Sequence, residues 1–186
     1  EGDPILQAET ICAAVRKMRA RTTRGTINFN SNASDPDAVQ RLAEAGLDSV
    51  RVSLNSVQEN FYNAYHRPCG YGFAEVRESI RRAKAAGLFT MLNYLVFPGI
   101  TDREDEVDAL IELVEETGVD LIQMRNLSID PEFYWRALGG SGEGMGMVEM
   151  LARVRTRFPR LQYGYFNRTR DTFYPSSGLD DWPLAP

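Results

Sequence analysis

In the stretch SVRVSLNS (residues 49–56), Ser53 and Asn55 alternate with Val52 and Leu54 near the end of a run otherwise suited to a buried strand. A hydroxyl or amide taken out of water must find a hydrogen-bond partner, so this pair marks a place where a polar ligand could be held. The same pattern closes other apolar runs: Asn30, Ser31 and Asn32 end one, Pro98, Gly99 and Thr101 a second, and Arg125, Asn126 and Ser128 a third. Asn, Ser and Gly gather in turns for local reasons, yet their recurrence at successive run ends predicts a ligand site. Asn93 lies deeper, inside TMLNYLVF, where an unpartnered buried amide would cost about 1–3 kcal/mol. It is either a bridge between neighbouring strands or a ligand contact. Arg125 offers a guanidinium fork to a carboxylate or phosphate, supplied by a ligand or by a barrel acid. His66 is the single histidine and could act as a general base, although its setting in NAYHRP suits a loop or supporting residue better.

The elements that must position these residues are legible from periodicity. Runs rich in branched and aromatic residues predict strands at TINFN (26–30), SVRVSL (49–54), LFTMLNYLVF (88–97), DLIQMRNL (120–127) and LQYGYF (161–166). Between them, apolar residues recur at helical spacing: Ile11, Val15 and Met18; Val39, Leu42 and Ala43; Val76, Ile80 and Ala83; Val107, Leu110, Ile111 and Val114; Val148, Leu151 and Val154. Asp35 reads as an N-cap with Pro36 in the first turn and Gly46 closing that helix. Thr101 or Asp102 reads as the opening of a later one, which Gly118 closes. Short helix-to-strand loops and strands apolar almost throughout imply parallel pairing with right-handed crossovers. Either a βα barrel or an open α/β sheet satisfies this, and both hold ligands at the carboxyl ends of their strands.

Composition removes several classes of function. With 186 residues, 43% of them hydrophobic, the chain can bury one sizeable core. Its net charge of −5 gives no electrostatic footprint for nucleic acid, and the basic run RKMRARTTR (16–24) reads as a solvated helix end. No run is long and apolar enough to span a bilayer. Cys12 and Cys69 form neither a disulfide framework nor a metal-ligand spacing, as suits a reducing cytoplasm. PEFYWRAL (131–138) reads as core packing with a substrate lid as the alternative, and GGSGEGMGM (139–147) as a flexible loop without phosphate-cradle spacing. The tail after residue 166 lacks periodicity and either wraps the domain of residues 1–166 or is partly disordered, with Trp182 suggesting some docking.

Taken together, GDP (2–4), NSN (30–32), VRVSLNS (50–56), YHRP (65–68) and LVFPGITDREDEV (95–107) resemble the core of a radical S-adenosylmethionine (SAM) enzyme over about residues 1–130. The order and spacing of these pieces carry the resemblance. It implies a partial (β/α) barrel, with a [4Fe-4S] cluster on the loop after the family's first strand and SAM bound to the cluster's exposed iron. An external electron donor then drives cleavage to a 5′-deoxyadenosyl radical, which abstracts hydrogen from a small-molecule or peptide substrate. Gly2 and Asp3 resemble the end of the family's Gly-Gly-Glu motif, which receives the SAM ammonium, with Asp here in place of Glu. Asn30, Ser31 and Asn32 resemble the polar triplet lining the SAM pocket. Ser53 and Asn55 match a Ser-Leu-Asp pattern that bonds the ribose and methionine parts of SAM, and Arg67 resembles the arginine that pairs with its carboxylate. Asn93 and the chain around Met124 are implied near ribose and adenine, with Arg125 and Asn126 facing substrate.

The family's CxxxCxxC cluster motif does not occur in this sequence. Together with an opening EGDPIL that reads like the exit of a strand, this leads to the expectation of a longer protein, with the cluster loop and first two strands missing here and these residues inactive alone. The TINFN strand is then expected to be a hydrophobic edge open to self-association. Two other readings remain: a non-catalytic barrel that binds or interacts, and a metal-free βα-barrel lyase using Arg125 and His66.

Overall fold

A computed structural model of the protein describes residues 2–126, 128–139, 142–164 and 168–174. Five strands, β1 (Asn28–Ser31), β2 (Ser49–Leu54), β3 (Phe89–Val96), β4 (Leu121–Asn126) and β5 (Gln162–Tyr163), form one sheet, paired in parallel in chain order. The helices are α1 (Ala8–Arg19), α2 (Pro36–Ala45), α3 (Glu59–His66), α4 (Phe73–Ala85), α5 (Glu104–Thr117), α6 (Pro131–Ala137) and α7 (Met147–Arg157). Because the strand order never reverses, right-handed crossovers all place their helices on the same side. This separates the two architectures left open by the sequence: the sheet is an arc of a (β/α) barrel, not closed on itself among the described residues, with its crossover helices on the outer face.

The outer face holds the main core. Phe29, Val50, Val52, Leu54, Leu92, Tyr94 and Ile122 meet Val39, Leu42, Val76, Ile80, Val107 and Leu110 from the helices. The inward stripes largely follow the predicted periodicity, with two departures. Met18 and Val148 are exposed, and α7 instead buries Met150 and Val154.

Caps and loops set the register. The Asp35 carboxylate accepts from the Ala38 amide at 2.9 Å, with Pro36 in the first turn. At the other end of α2, Gly46 takes φ 112°, a conformation a side chain would oppose. The strand that follows is fixed by Asp48, which accepts from the Ile27 amide at 2.6 Å and pairs with Arg19 of α1. The same device recurs one unit later. Gly118 closes α5, and Asp120 accepts from the Thr90 amide at 2.8 Å while pairing with Lys84 of α4. Each Gly-x-Asp loop therefore ties a strand start to its neighbour and to a helix end. Arg19 within the basic run is thus a structural ion pair rather than part of a solvated face.

The opening of α5 differs from expectation: Arg103 is its N-cap residue. Thr101 bonds Phe97 and Asp102 bonds Gly99 and Gly146, so both hold the loop instead of the helix. At the amino end of the strands, Phe173 stacks on Phe89 at 4.4 Å and packs with Met91 and Leu121. Its carbonyl accepts from Gln162 Nε2 at 2.6 Å. The described part of the tail therefore docks on the inner face, while Trp182 and the end of the LQYGYF run lie outside the described residues. Strand β1 is an edge as expected, though short and with Asn28 and Asn30 among its four residues.

Candidate functional site

Strand register sorts the polar residues between the two faces. Ser53 pairs with Asn93, and Asn93 with Gln123, so the three stand side by side across β2, β3 and β4. They share their parity with Phe89, Met91 and Leu121, which pack under Phe173, and so project from the inner face. The inner face thus carries a polar row across these three strands. Gln123 is 1% exposed, and its Oε1 and the Asn93 Oδ1 are buried acceptors with no hydrogen-bond partner among the described residues. Such acceptors are costly unless a ligand or water satisfies them.

The remaining site residues fall into different places. Asp3 is already engaged: it accepts from Ser31 Oγ (2.6 Å), the Asn32 amide (2.6 Å) and the Ile5 amide (2.9 Å). It clips the segment beginning at Gly2, which is exposed, onto the end of β1. Ser31 is buried in this clip, and Asn32 donates to Tyr71 Oη at 3.1 Å. Asn30 is exposed on the inner face and bonds Asn28. Ala33 and Arg67 are the two non-glycine residues with positive φ, at 54° and 47° among the described residues; backbone held there clusters at functional sites. Arg67, exposed, caps α3.

Asn55 does not join Ser53. It is fully buried, and its Nδ2 donates to the Phe61 carbonyl (2.9 Å) and to Tyr134 Oη (3.2 Å). Strand β2 ends at Leu54, so the alternation that would have turned Asn55 inward stops one residue too soon. Met124 has the parity of Tyr94 and packs on the helix-side core, which leaves its backbone, rather than its side chain, available to the inner face. Arg125 and Asn126 are adjacent strand residues and so project to opposite faces. Arg125 lies on the inner one, paired in register with Leu95.

Sequence reasoning missed three features. Arg51 is on the inner face two residues before Ser53, and Gln123 two before Arg125; their in-phase polarity was the available signal. Glu106 is the third. It is 0% exposed and accepts from Ser56 Oγ (2.7 Å), the Val57 amide (2.8 Å) and Tyr94 Oη (2.5 Å). Burial raises its pKa despite these bonds. The network pins the loop after β2, and with it the carboxyl end carrying Ser53.

Around the mouth, Tyr134 is buried and packs edge-on to Phe97 and Tyr65, while Phe133 and Trp135 are exposed. The aromatic segment is therefore core on one side of α6 and surface on the other. His66 stacks on Tyr62 at 4.3 Å, and burial pushes its pKa down to about 4. The glycine-rich segment is docked rather than loose where it is described: Gly142 and Gly146 amides bond the Gly99 carbonyl and Asp102, and Met145 bonds the Asp102 carbonyl.

The residues present fit SAM better than they fit a cluster. Ribose hydroxyls and an adenine amine are donors of the kind the Asn93 and Gln123 oxygens lack. A [4Fe-4S] cluster requires thiolates, whereas Cys12 is buried on α1 with its thiol pushed up by burial, and Cys69 is exposed in the loop after α3. No group of three or more His, Cys, Asp or Glu is placed to hold a metal among the described residues. Nor is any described helix long and apolar enough to cross a membrane.

Comparisons with known proteins agree with this architecture. GTP 3',8-cyclase 2 of Mycobacterium tuberculosis is 33% identical over 164 residues, covering 84% of this chain and 42% of that protein. GTP 3',8-cyclase of Chlorobaculum tepidum is 29% identical over 164 residues, covering 87% and 47%. The chain thus spans less than half the length of these relatives. Among solved structures, a domain of a pyruvate-formate lyase-activating enzyme from Bacteroides vulgatus superposes with a TM-score of 0.62 at 11% identity, covering 90% of this chain and 96% of that one. HydG, a maturase of the [FeFe]-hydrogenase, gives 0.59 at 16% identity, covering 87% and 38%. These two share the fold. The Radical SAM superfamily profile matches residues 1–114, more than half of the sequence, and the chain belongs to that superfamily.

Proposed function

We propose that these residues are the SAM-binding barrel portion of a radical SAM enzyme, with the cluster ligands supplied from outside residues 1–186. The observation that carries this reading is the Ser53–Asn93–Gln123 row across three adjacent strands, in which the Asn93 and Gln123 oxygens are buried without a hydrogen-bond partner among the described residues. In the family, SAM and a reduced [4Fe-4S] cluster together supply the radical chemistry. The part played by this chain is binding and orientation. Ser53 can donate to or accept from a ribose hydroxyl, and the Asn93 and Gln123 oxygens accept from hydroxyl or amine donors. Arg67, exposed at the rim, is a charge partner for the methionine carboxylate, and Glu106 holds the β2 end in place through Ser56 and Val57.

Calorimetric titration of SAM into the chain tests this. Ser53→Ala and Asn93→Ala should each weaken binding roughly 3- to 10-fold, the loss of one net hydrogen bond. Wild-type affinity in both variants would sink the assignment. Anaerobic reconstitution of the complete gene product, with SAM cleavage as readout, tests the enzyme reading itself. A barrel that binds SAM without cleaving it would instead favour the non-catalytic module, which the poor fit of Cys12 and Cys69 to a cluster leaves as the second reading. A lyase using His66 as base is disfavoured, because an imidazole held near 4 and stacked on Tyr62 is a weak base at neutral pH.

A further inference from the structure

We propose that Tyr71 is a positioning residue for the methionine end of SAM: its hydroxyl holds Asn32, and with it the loop after β1, against the loop that begins at Arg67. This rests on the reading of these residues as part of a SAM site. That reading assigns the ammonium and carboxylate of SAM to two separate segments, the Asp3 clip at the end of β1 and the turn after α3. Each segment passes through the left-handed region at a residue other than glycine, Ala33 at φ 54° and Arg67 at φ 47°. Backbone held there persists where its surroundings over-determine it, and each segment has its own supports. The Ala33 amide donates to Ser31 Oγ at 2.9 Å, and the Asn32 amide to Asp3 at 2.6 Å. The Arg67 amide donates to the Asn63 carbonyl at 3.0 Å, and the preceding His66 stacks on Tyr62.

Those bonds fix each segment internally; the bond between the two is made by Tyr71. Asn32 Nδ2 donates to Tyr71 Oη at 3.1 Å, across 39 positions of sequence. Among the described residues it is the one hydrogen bond that joins the loop of residues 32–35 to the loop of residues 67–72. The far end of the second loop is closed in turn, where the Gly72 amide donates to the Glu75 carboxylate at 2.7 Å. The Tyr71 ring packs against the main core, a task that phenylalanine would perform equally well. Packing therefore accounts for the ring and not for the hydroxyl, whose described partner belongs to the polar triplet after β1. An ammonium and a carboxylate on one carbon tolerate little error in the spacing of the groups that receive them. A bond that sets this spacing acts on affinity without touching SAM.

The test is calorimetric titration of the 186-residue chain with SAM and, in parallel, with 5′-methylthioadenosine, which keeps the nucleoside but lacks the amino-acid end. Tyr71→Phe should weaken SAM binding about fivefold, the loss of one net hydrogen bond. Its affinity for 5′-methylthioadenosine should stay within about twofold of wild type. A double-mutant cycle separates positioning from general support of the fold: the Tyr71→Phe, Asn32→Ala double variant should bind SAM no more weakly than Asn32→Ala alone, because both changes remove the same interaction. Cooperative circular dichroism melts would show that the variants fold. Tyr71→Phe binding SAM as wild type does would overturn the proposal. So would an equal loss for both ligands, or losses that simply add in the double variant. Wild type that fails to bind SAM would remove the SAM reading, and this proposal with it.

Discussion

Replacing Glu106 by Ala should destabilise the protein by about 3–5 kcal/mol, the range for removing one partner from a buried charged network. The figure follows from what Glu106 holds. Its carboxylate is fully buried in the first turn of α5 and accepts from Tyr94 Oη, Ser56 Oγ and the Val57 amide. Truncation leaves three buried donors short of an acceptor, at about 1–3 kcal/mol each, with part recovered because hydroxyls rotate and Ser56 also accepts from the Gln58 amide. Urea unfolding at pH 7, with a slope of roughly 2 kcal/mol per molar, should then show a midpoint lower by about 2 M. Glu106→Gln keeps one acceptor and should cost about 1–2 kcal/mol. The pH dependence separates charge from packing. Burial raises the Glu106 pKa above 4.5 in the folded state, so the folded protein holds this proton more tightly than the unfolded chain does. Its contribution is present in full below 4.5 and is lost as pH rises through the higher folded value. The Gln variant does not titrate there, so its deficit relative to wild type should narrow as pH climbs through that window. An Ala variant losing less than about 1 kcal/mol, or a deficit that widens with pH, would refute the reasoning.

His66 offers a cleaner titration, because it is the single histidine and gives one imidazole signal by NMR. That signal should titrate near 4; since the folded value is depressed, stability should fall as pH drops from 6.5 towards 4, and a midpoint near 6.5 would contradict the burial argument. Gly144→Ala should lower stability by about 1–3 kcal/mol, because its new methyl would collide with the Asp102 carboxylate; an unchanged melting temperature would show that the loop yields freely. Asp102→Ala should release the same segment without a clash, read as faster amide exchange at Gly146, whose N–H it accepts.

The fold was legible where local chemistry and tertiary packing ask for the same residue. Asp35, Pro36 and Gly46 bound a helix whether or not anything packs on it, and the valines of β2 are apolar because one face is always covered. Legibility failed where a side chain has several uses and distance in sequence conceals which one prevails. Asp102 is a competent N-cap, but the amides of Gly99 and Gly146 claim it first, the latter 44 positions away. Glu106 reads as one more acid favouring a helix N-terminus, and nothing nearby in sequence announces that Ser56, 50 positions earlier, will point at it.

The site divides along the same line. Inside a strand, parity carries side-chain direction from one residue to the next, so Ser53, Asn93, Gln123, Arg51 and Arg125 could all be assigned to one face once the pairing was known. Beyond the strand end parity means nothing, and Asn55, which looks in phase with Ser53, turns under Tyr134 and the α3 backbone. Its buried amide still ties α3 and α6 to the carboxyl end of β2, through the Phe61 carbonyl and Tyr134 Oη. A polar residue in phase within a strand is thus the better candidate for touching ligand, and one just past the end the better candidate for supporting those that do. On that reasoning Gln123, to which no sequence motif pointed, should matter more to SAM affinity than Asn55, which a motif did mark.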